Sequence, residues 1–344
     1  MIKVNHIFDK IISLENLFLA WHEFKRGKRK KKDVIAFEFS LEDNIFRLHW
    51  LLKNNYYRHG KYQSFSIRDP KPRTIHKASV RDRVLHHAVF RILYPAFDPV
   101  FISDSYSCRL NKGTHRGVAR LEQFAKRAGG HYRKNCFILK CDIAKFFASI
   151  NHDILKNLIR RRISDSRVLD LVDIIIDSYN NENLETQKGV PLGNLTSQLF
   201  ANIYLDELDK FIKHRFKVRF YLRYTDDFII VHSDKNYLKG LISEIVNFSR
   251  QELKLDLHPE KVTIRKLRQG IDFLGYVTLP HYRVLRTKTK RRMFRKLGFR
   301  LAQLSAGEIS DKAFEQVMQS YLGILSHCSS WKLKQKLKKF EVLV

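Results

Sequence analysis

Apolar residues recur along this chain at two periods, and each switch between them marks an element boundary. Helical spacing governs the start: residues 1–24 read as a helix, and Leu41, Ile45, Leu48 and Leu52 predict a second over 41–54. Residues 62–67 (Tyr-Gln-Ser-Phe-Ser-Ile) alternate as a strand does, and Asp69-Pro70-Lys71-Pro72 reads as a turn. Helical periodicity returns over residues 80–93. The run Phe137-Ile138-Leu139-Lys140-Cys141 reads as a strand closed by Asp142. Asn151 or Asp153 can then cap a helix carrying Ile154, Leu155, Leu158 and Ile159. Gly189-Val190-Pro191-Leu192-Gly193 reads as a loop entering a helix that runs through Phe211. Two alternating runs, Phe220-Tyr221-Leu222 and Phe228-Ile229-Ile230-Val231, flank Arg223-Tyr224-Thr225-Asp226-Asp227 and predict a β-hairpin with two acids at its tip. Beyond about residue 285 the pattern is helical and basic. The order predicts an α+β protein with a helical tail, undivided by any Pro/Gly/Ser linker or internal repeat.

Charge narrows the partners. Lys+Arg number 65 against 35 Asp+Glu, a formal net charge of +30. Dense patches occur at residues 25–32, at Arg160-Arg161-Arg162 and at residues 286–292. A field of this sign attracts nucleic acid with salt-dependent affinity. Residues 25–32 taken alone fit a solvated helix face or a tail equally well. The 44% hydrophobic content indicates a folded chain with a polyanionic partner. Membrane is not expected: no apolar run approaches the ~20 residues of a spanning helix, and Lys3, Asp9, Lys10 and Glu15 occupy the place of a signal peptide's apolar stretch. Cys108, Cys136, Cys141 and Cys328 form no CxxC pair and no zinc spacing, which suggests reduced thiols and a cytoplasmic setting. His86-His87 on a predicted helix reads as a packing or RNA-facing feature rather than a metal site.

The acids carry the candidate chemistry. Like charges at a hairpin tip repel, so a cationic group is expected beside Asp226 and Asp227. With Asp142 on a neighbouring strand, the three carboxylates could hold a pair of Mg²⁺ ions. Two metals about 3.5–4 Å apart serve nucleotidyl transfer by activating a 3′-hydroxyl and stabilising leaving pyrophosphate.

With these residues assembled, the chain resembles a reverse transcriptase from about residue 50 onward. Phe65-Ser-Ile-Arg68-Asp-Pro-Lys71-Pro-Arg73 and Val80-Arg81-Asp82-Arg83-Val84 resemble fingers motifs. Asp142-Ile-Ala-Lys-Phe-Phe147 and Arg223-Tyr-Thr-Asp-Asp-Phe228 resemble the two catalytic motifs, and Phe273-Leu274-Gly275-Tyr276 the primer grip. Within the family, Leu192-Gly193-Asn194-Leu195-Thr196-Ser197-Gln198 is similar to the [I/V/L]-G-x-x-x-S-Q pattern of diversity-generating retroelements, where most members carry a Q-G-x-x-x-S-P-like pattern.

The resemblance implies a right-hand polymerase fold of fingers, a palm of antiparallel sheet packed on helices, and a helical thumb. The expected units are an N-terminal helix and fingers (1–105), palm (106–149), a helical fingers insertion (150–188), the second palm part with catalytic hairpin and primer grip (189–280), and thumb (281–344). It implies RNA-directed DNA synthesis from a template-repeat RNA with errors at adenines. It also implies two Mg²⁺ ions, replaceable by Mn²⁺, on Asp142, Ile143, Asp226 and Asp227, and template RNA, primer, dNTPs and a basic accessory variability determinant protein as partners. Neither a ribonuclease H nor an endonuclease unit is expected after Tyr276.

Physical readings run beside these roles. Arg68, Lys71 and Arg73 could clamp a triphosphate, or be surface charge. Phe147 stands where the family places a ring against the sugar 2′ face, or is a core aromatic like adjacent Phe146. Leu192, Gly193 and Gln198 are expected near the nucleotide, where glycine lets backbone approach closely. Lys261 matches a lysine proposed to protonate pyrophosphate, or is simply solvated. Lys288, Lys290, Arg291 and Arg292 are expected on nucleic acid. The competing readings are a retron or group II intron-type bacterial reverse transcriptase, and a basic RNA-binding protein with an inactive polymerase fold.

Overall fold

A computed structural model describes residues 4–68, 72–179 and 187–341. Its centre is a four-stranded antiparallel sheet, made of β3 (Phe137–Asp142), β4 (Tyr221–Tyr224), β5 (Asp227–His232) and β6 (Thr263–Lys266) in the order β4-β5-β3-β6. Alternation sorts its side chains between two cores. Leu139, Cys141, Tyr221, Phe228 and Ile230 face one core; Ile138, Leu222, Ile229 and Val231 face the other. Both faces are therefore covered, and the strands read as continuous apolar runs.

The first core is helical. It packs α1 (Phe8–Ile12), α2 (Leu14–Phe24), α3 (Lys32–Phe39), α4 (Leu41–Lys53) and α5 (Val80–Phe97) with α8 (His152–Arg160), α9 (Ser166–Asp177), α10 (Leu195–Lys210) and α11 (Lys235–Leu253). The hairpin β1 (Gln63–Ile67) and β2 (Arg73–Lys77) projects beside it with mostly exposed residues. The second core holds α6 (Thr114–Ala128), the three-stranded meander β7 (Ile271–Phe273), β8 (Tyr276–Thr278), β9 (Arg283–Leu285), and the helices α12 (Thr287–Ser305), α13 (Asp311–Leu325) and α14 (Trp331–Glu341). A short helix, α7 (Phe146–Ser149), follows β3.

The α+β class is as expected, and the elements that periodicity predicts are present with local corrections, joined by α3, α6, α9, α11 and β6, which it does not predict. The single helix expected over residues 1–24 is two, because Ser13 turns out of helical geometry and its side chain accepts from the Asn16 N–H as the cap of α2. Asn151, not Asp153, caps α8 by accepting from the Ile154 N–H. Helix α5 runs on past residue 93 to Phe97, through Pro95. The predicted turn at residues 69–72 lies, except for Pro72, outside the described residues. Among the described residues no helix is long and apolar enough to cross a membrane.

Candidate active site

The hairpin appears where the alternation places it. Tyr224 pairs with Asp227, leaving Thr225 and Asp226 as a two-residue turn, and Asp227 lies directly opposite Asp142 across β5 and β3. Side chains opposite one another in such a ladder sit about 5 Å apart, so the register alone brings these carboxylates together. The Ile143 N–H donates to the Asp226 carbonyl at 3.2 Å, tying the end of β3 to the turn.

The turn is held from beneath. Thr225 has φ +55°, a conformation a β-branched residue adopts only under constraint. Its hydroxyl donates to Ser107 Oγ at 2.6 Å, and its carbonyl accepts from Arg223 at 3.1 Å. Arg223 is fully buried and makes a two-pronged pair with buried Asp209 of α10, at 2.8 and 2.7 Å. The Tyr221 hydroxyl donates to the same carboxylate at 2.6 Å, and Arg223 also reaches the Asn202 amide oxygen at 3.3 Å. Sequence reasoning missed this network. Its signal was an arginine inside an otherwise apolar strand, a residue type rarely buried without a partner.

The expected compensating cations are Lys140 and Lys261. Lys140 lies 3.2 Å from Asp227 and donates to the Asp272 carbonyl at 2.9 Å. Lys261 lies 2.7 Å from Asp142. Burial pushes Asp227 up to about 6, opposed by Lys140. Burial also raises Asp226, with the charge of Asp142 adding to the shift. The donor set is all hard oxygen, which suits Mg²⁺ or Mn²⁺. Buried Asp227 Oδ1 has no hydrogen-bond partner and so keeps a free lone pair for a cation. Among the described residues, however, no group of three acid, His or Cys side chains is gathered around a single point. Asp142 and Asp227 are turned onto their lysines instead.

Asp227 opens on a cleft of about 1270 Å³, whose lining also includes Arg73, Lys140, Leu274, Gly275 and Tyr276, while Asp142 and Lys261 line a neighbouring cavity of about 380 Å³ that Asp227 and Lys140 share. Lys288, Arg291 and Arg292 of α12 line the cleft's far wall, while Lys290 points to the other side, beside Phe340 of α14. Arg73 opens β2 and lowers the pKa of Asp226 by its charge, although burial outweighs it. Arg68 is exposed, and Lys71 lies outside the described residues. Phe146 is the buried ring, and Phe147 is partly buried against it at 5.3 Å. Leu192 and Gln198 are half-buried, and the Leu192 carbonyl accepts from the His76 N–H of β2 at 3.3 Å. Gly193 has φ +113°, and a Cβ there would meet Ile75 at 3.1 Å, so its close approach is to the β2 strand. Phe273 and Tyr276 pair across the β7–β8 turn, whose Leu274 (φ +51°) and Gly275 (φ +89°) face the cleft.

Residues 63–278, more than half of the chain, match the reverse transcriptase (RNA-dependent DNA polymerase) family. The chain belongs to that family. It is 25% identical over 259 residues to Protein YkfC of Escherichia coli, covering 63% of this chain and 68% of that one. It is 27% identical over 260 residues to the group II intron-encoded protein LtrA of Lactococcus lactis, covering 57% of this chain and 42% of that one. Telomerase from Candida tropicalis in complex with a fragment of telomeric RNA superposes with a TM-score of 0.52 at 15% identity, over 87% of this chain and 61% of that one. That likeness shows the fold, a right-hand polymerase. The chain spans less than two thirds of the intron-encoded protein and of the telomerase.

Proposed function

We propose that this protein copies an RNA template into DNA for a diversity-generating retroelement, making its errors at template adenines. The observation carrying polymerisation is the register pair Asp142–Asp227 with Asp226 at the adjoining turn, and Asp227 facing a cleft walled by cations. In this reading Asp142, Asp226, Asp227 and the Ile143 carbonyl would hold Mg²⁺, which when bound would supply activation of the primer hydroxyl and charge neutralisation of the leaving pyrophosphate. Until then Lys140 pairs with Asp227 and Lys261 with Asp142. Arg73, with Arg68 and Lys71, takes the triphosphate. Phe147 limits the sugar, the Phe273–Tyr276 turn supports the primer, and α12 holds the phosphate backbone. The subtype rests on Leu192 and Gln198 and brings the basic accessory protein as an expected partner.

A group II intron-type role is the second reading, favoured by the likeness to LtrA. Sequencing cDNA made on a template with all four bases decides between them. Errors concentrated opposite adenine support the retroelement; equal errors at all four bases support the intron type. Absence of any extension removes both.

A further inference from the structure

His86 takes no part in the chemistry above, yet it is 1% exposed and lies against the 192–198 segment. Its Nδ1 is 2.5 Å from Thr196 Oγ1 on α10, and its Nε2 is 3.0 Å from His59 Nε2. The other His59 nitrogen, Nδ1, is 2.7 Å from the Gly60 carbonyl. A carbonyl only accepts, so His59 Nδ1 carries the proton and neutral His59 presents a bare Nε2. His86 must then donate from Nε2 and accept at Nδ1, and the Thr196 hydroxyl must donate to it. Burial depresses both histidines, His86 to about 3, and keeps them neutral.

The outer end of this chain is also fixed. Asp82 accepts from the Tyr57 hydroxyl at 2.9 Å and from the Gly60 N–H at 3.1 Å. A Cβ at Gly60 would fall 2.8 Å from that carboxylate, so the approach requires glycine. The Tyr62 hydroxyl lies 3.3 Å from His59 Nε2 and 2.9 Å from Ser178 Oγ, joining the C-terminus of α9. At the other end, the His76 N–H holds the Leu192 carbonyl. Residues 192–198 are thus pinned at Leu192 by β2 and at Thr196 by the histidine pair.

We infer that His86, backed by His59, is a positioning residue that sets the first turn of α10 and so tunes selection of the incoming nucleotide. This rests on the polymerase reading, though not on the adenine bias. The three acids are carried by β3 and the β4–β5 hairpin, which the relay does not touch. Its loss therefore alters how a nucleotide is seated more than how a seated one reacts.

The test is single-nucleotide insertion on a primed RNA template, comparing right and wrong dNTPs. His86→Phe keeps the ring and removes both nitrogens; Thr196→Val keeps the shape and removes the hydroxyl. Each is expected to lower the right-to-wrong ratio of kcat/KM about fivefold, the worth of one hydrogen bond. The change should fall on KM for the right nucleotide, with kcat within about twofold. The double variant should be no worse than His86→Phe alone, because the bond that Thr196→Val cuts is already lost in it. Additive losses, or equal falls for right and wrong dNTPs, would overturn the inference. If His86→Phe does not fold, Thr196→Val decides alone, and an unchanged ratio overturns it. A wild type that inserts nothing on RNA overturns the polymerase reading itself; an active wild type matched by its variants overturns only this inference.

Discussion

The two walls of the cleft are built differently. The β4–β5 hairpin stands on fully buried groups: Arg223 forks onto Asp209, Tyr221 donates to the same carboxylate, and the turn carbonyl is caught as well. Opposite it, α12 presents Lys288, Arg291 and Arg292, and the ion pair beside its start, Arg286 with Asp272, is about half-exposed. Chemistry on a phosphoryl group depends on position at the ångström scale, and a buried pair supplies it. Holding a flexible polyanion requires a field, which exposed side chains supply without fixed geometry. Under the proposed function each wall has the energetics its task would need, and substitutions should therefore separate them.

The largest separation is expected at the acids. Asp142→Asn or Asp226→Asn should lower primer extension by about a thousandfold or more, the scale on which loss of transition-state charge stabilisation acts. RNA affinity should stay nearly constant, because the far wall still carries the field. Retained extension in either variant would remove the catalytic assignment.

Stability should separate the walls next. Arg223→Met strands Asp209 without its counter-ion and should cost about 3–5 kcal/mol in urea unfolding. Arg286→Met, at the exposed pair, should cost at most about 1 kcal/mol. Comparable losses would mean that the buried pair is not what holds the hairpin.

Much of the first wall was legible in the sequence. Apolar runs on either side of two acids pointed to the hairpin, and a third acid closing an apolar run to its neighbour. The supporting network was not, because the partners Arg223, Asp209, Asn202 and Ser107 meet only after α10 packs under the sheet. The same holds for Lys140 and Lys261, whose pairing with Asp227 and Asp142 needs the register and the return of the chain through β6. Helix α6 could have been found: Val118, Leu121, Phe124 and Ala125 are buried at helical spacing. The β2 contact at Gly193 could not, since a glycine in a loop does not name what it approaches.

Beneath Arg223 a second carboxylate tests how tightly this wall is balanced. Asp206 is buried, Lys210 lies 2.6 Å from its Oδ2, and its Oδ1 has no partner. Burial raises it to about 6. Between about pH 4 and 6 the folded protein therefore binds this proton more tightly than the unfolded chain. The group favours the fold at low pH, and that contribution is lost as pH rises through about 6. Asp206→Asn should flatten this fall, by up to about 3 kcal/mol between pH 4 and 7 in urea titrations. An equal slope in wild type and variant would show that Asp206 ionises freely.

On the far wall the field can be counted. Each phosphate neutralised steepens the fall of log affinity with log salt by about 0.7–0.9. Replacing Lys288, Lys290, Arg291 and Arg292 with glutamine should reduce that slope by about 2.1–2.7, the share of three contacts, rather than the roughly 2.8–3.6 of four, because Lys290 faces α14 and not the cleft. Lys290→Gln alone should leave the slope almost unchanged. A slope untouched by the quadruple variant would place the nucleic acid on another face.

The smallest effect concerns Leu192, which belongs to neither wall. Its carbonyl is tied to β2 and its side chain is half-buried, so it can act on a nucleotide only by apolar contact where glutamine would offer a hydrogen bond. One such bond is worth about 1 kcal/mol, or roughly fivefold in selectivity. Leu192→Gln should therefore lower the error frequency opposite adenine about fivefold, read by sequencing cDNA, while stability and the salt slope stay as in wild type. If wild type is adenine-biased and Leu192→Gln retains the full bias, the selectivity lies in the seating of α10 rather than in the side chain at 192. His86→Phe should then move the error spectrum where Leu192→Gln does not. A change in the salt slope on Leu192→Gln would instead assign the residue to the field-bearing wall and end the distinction drawn here.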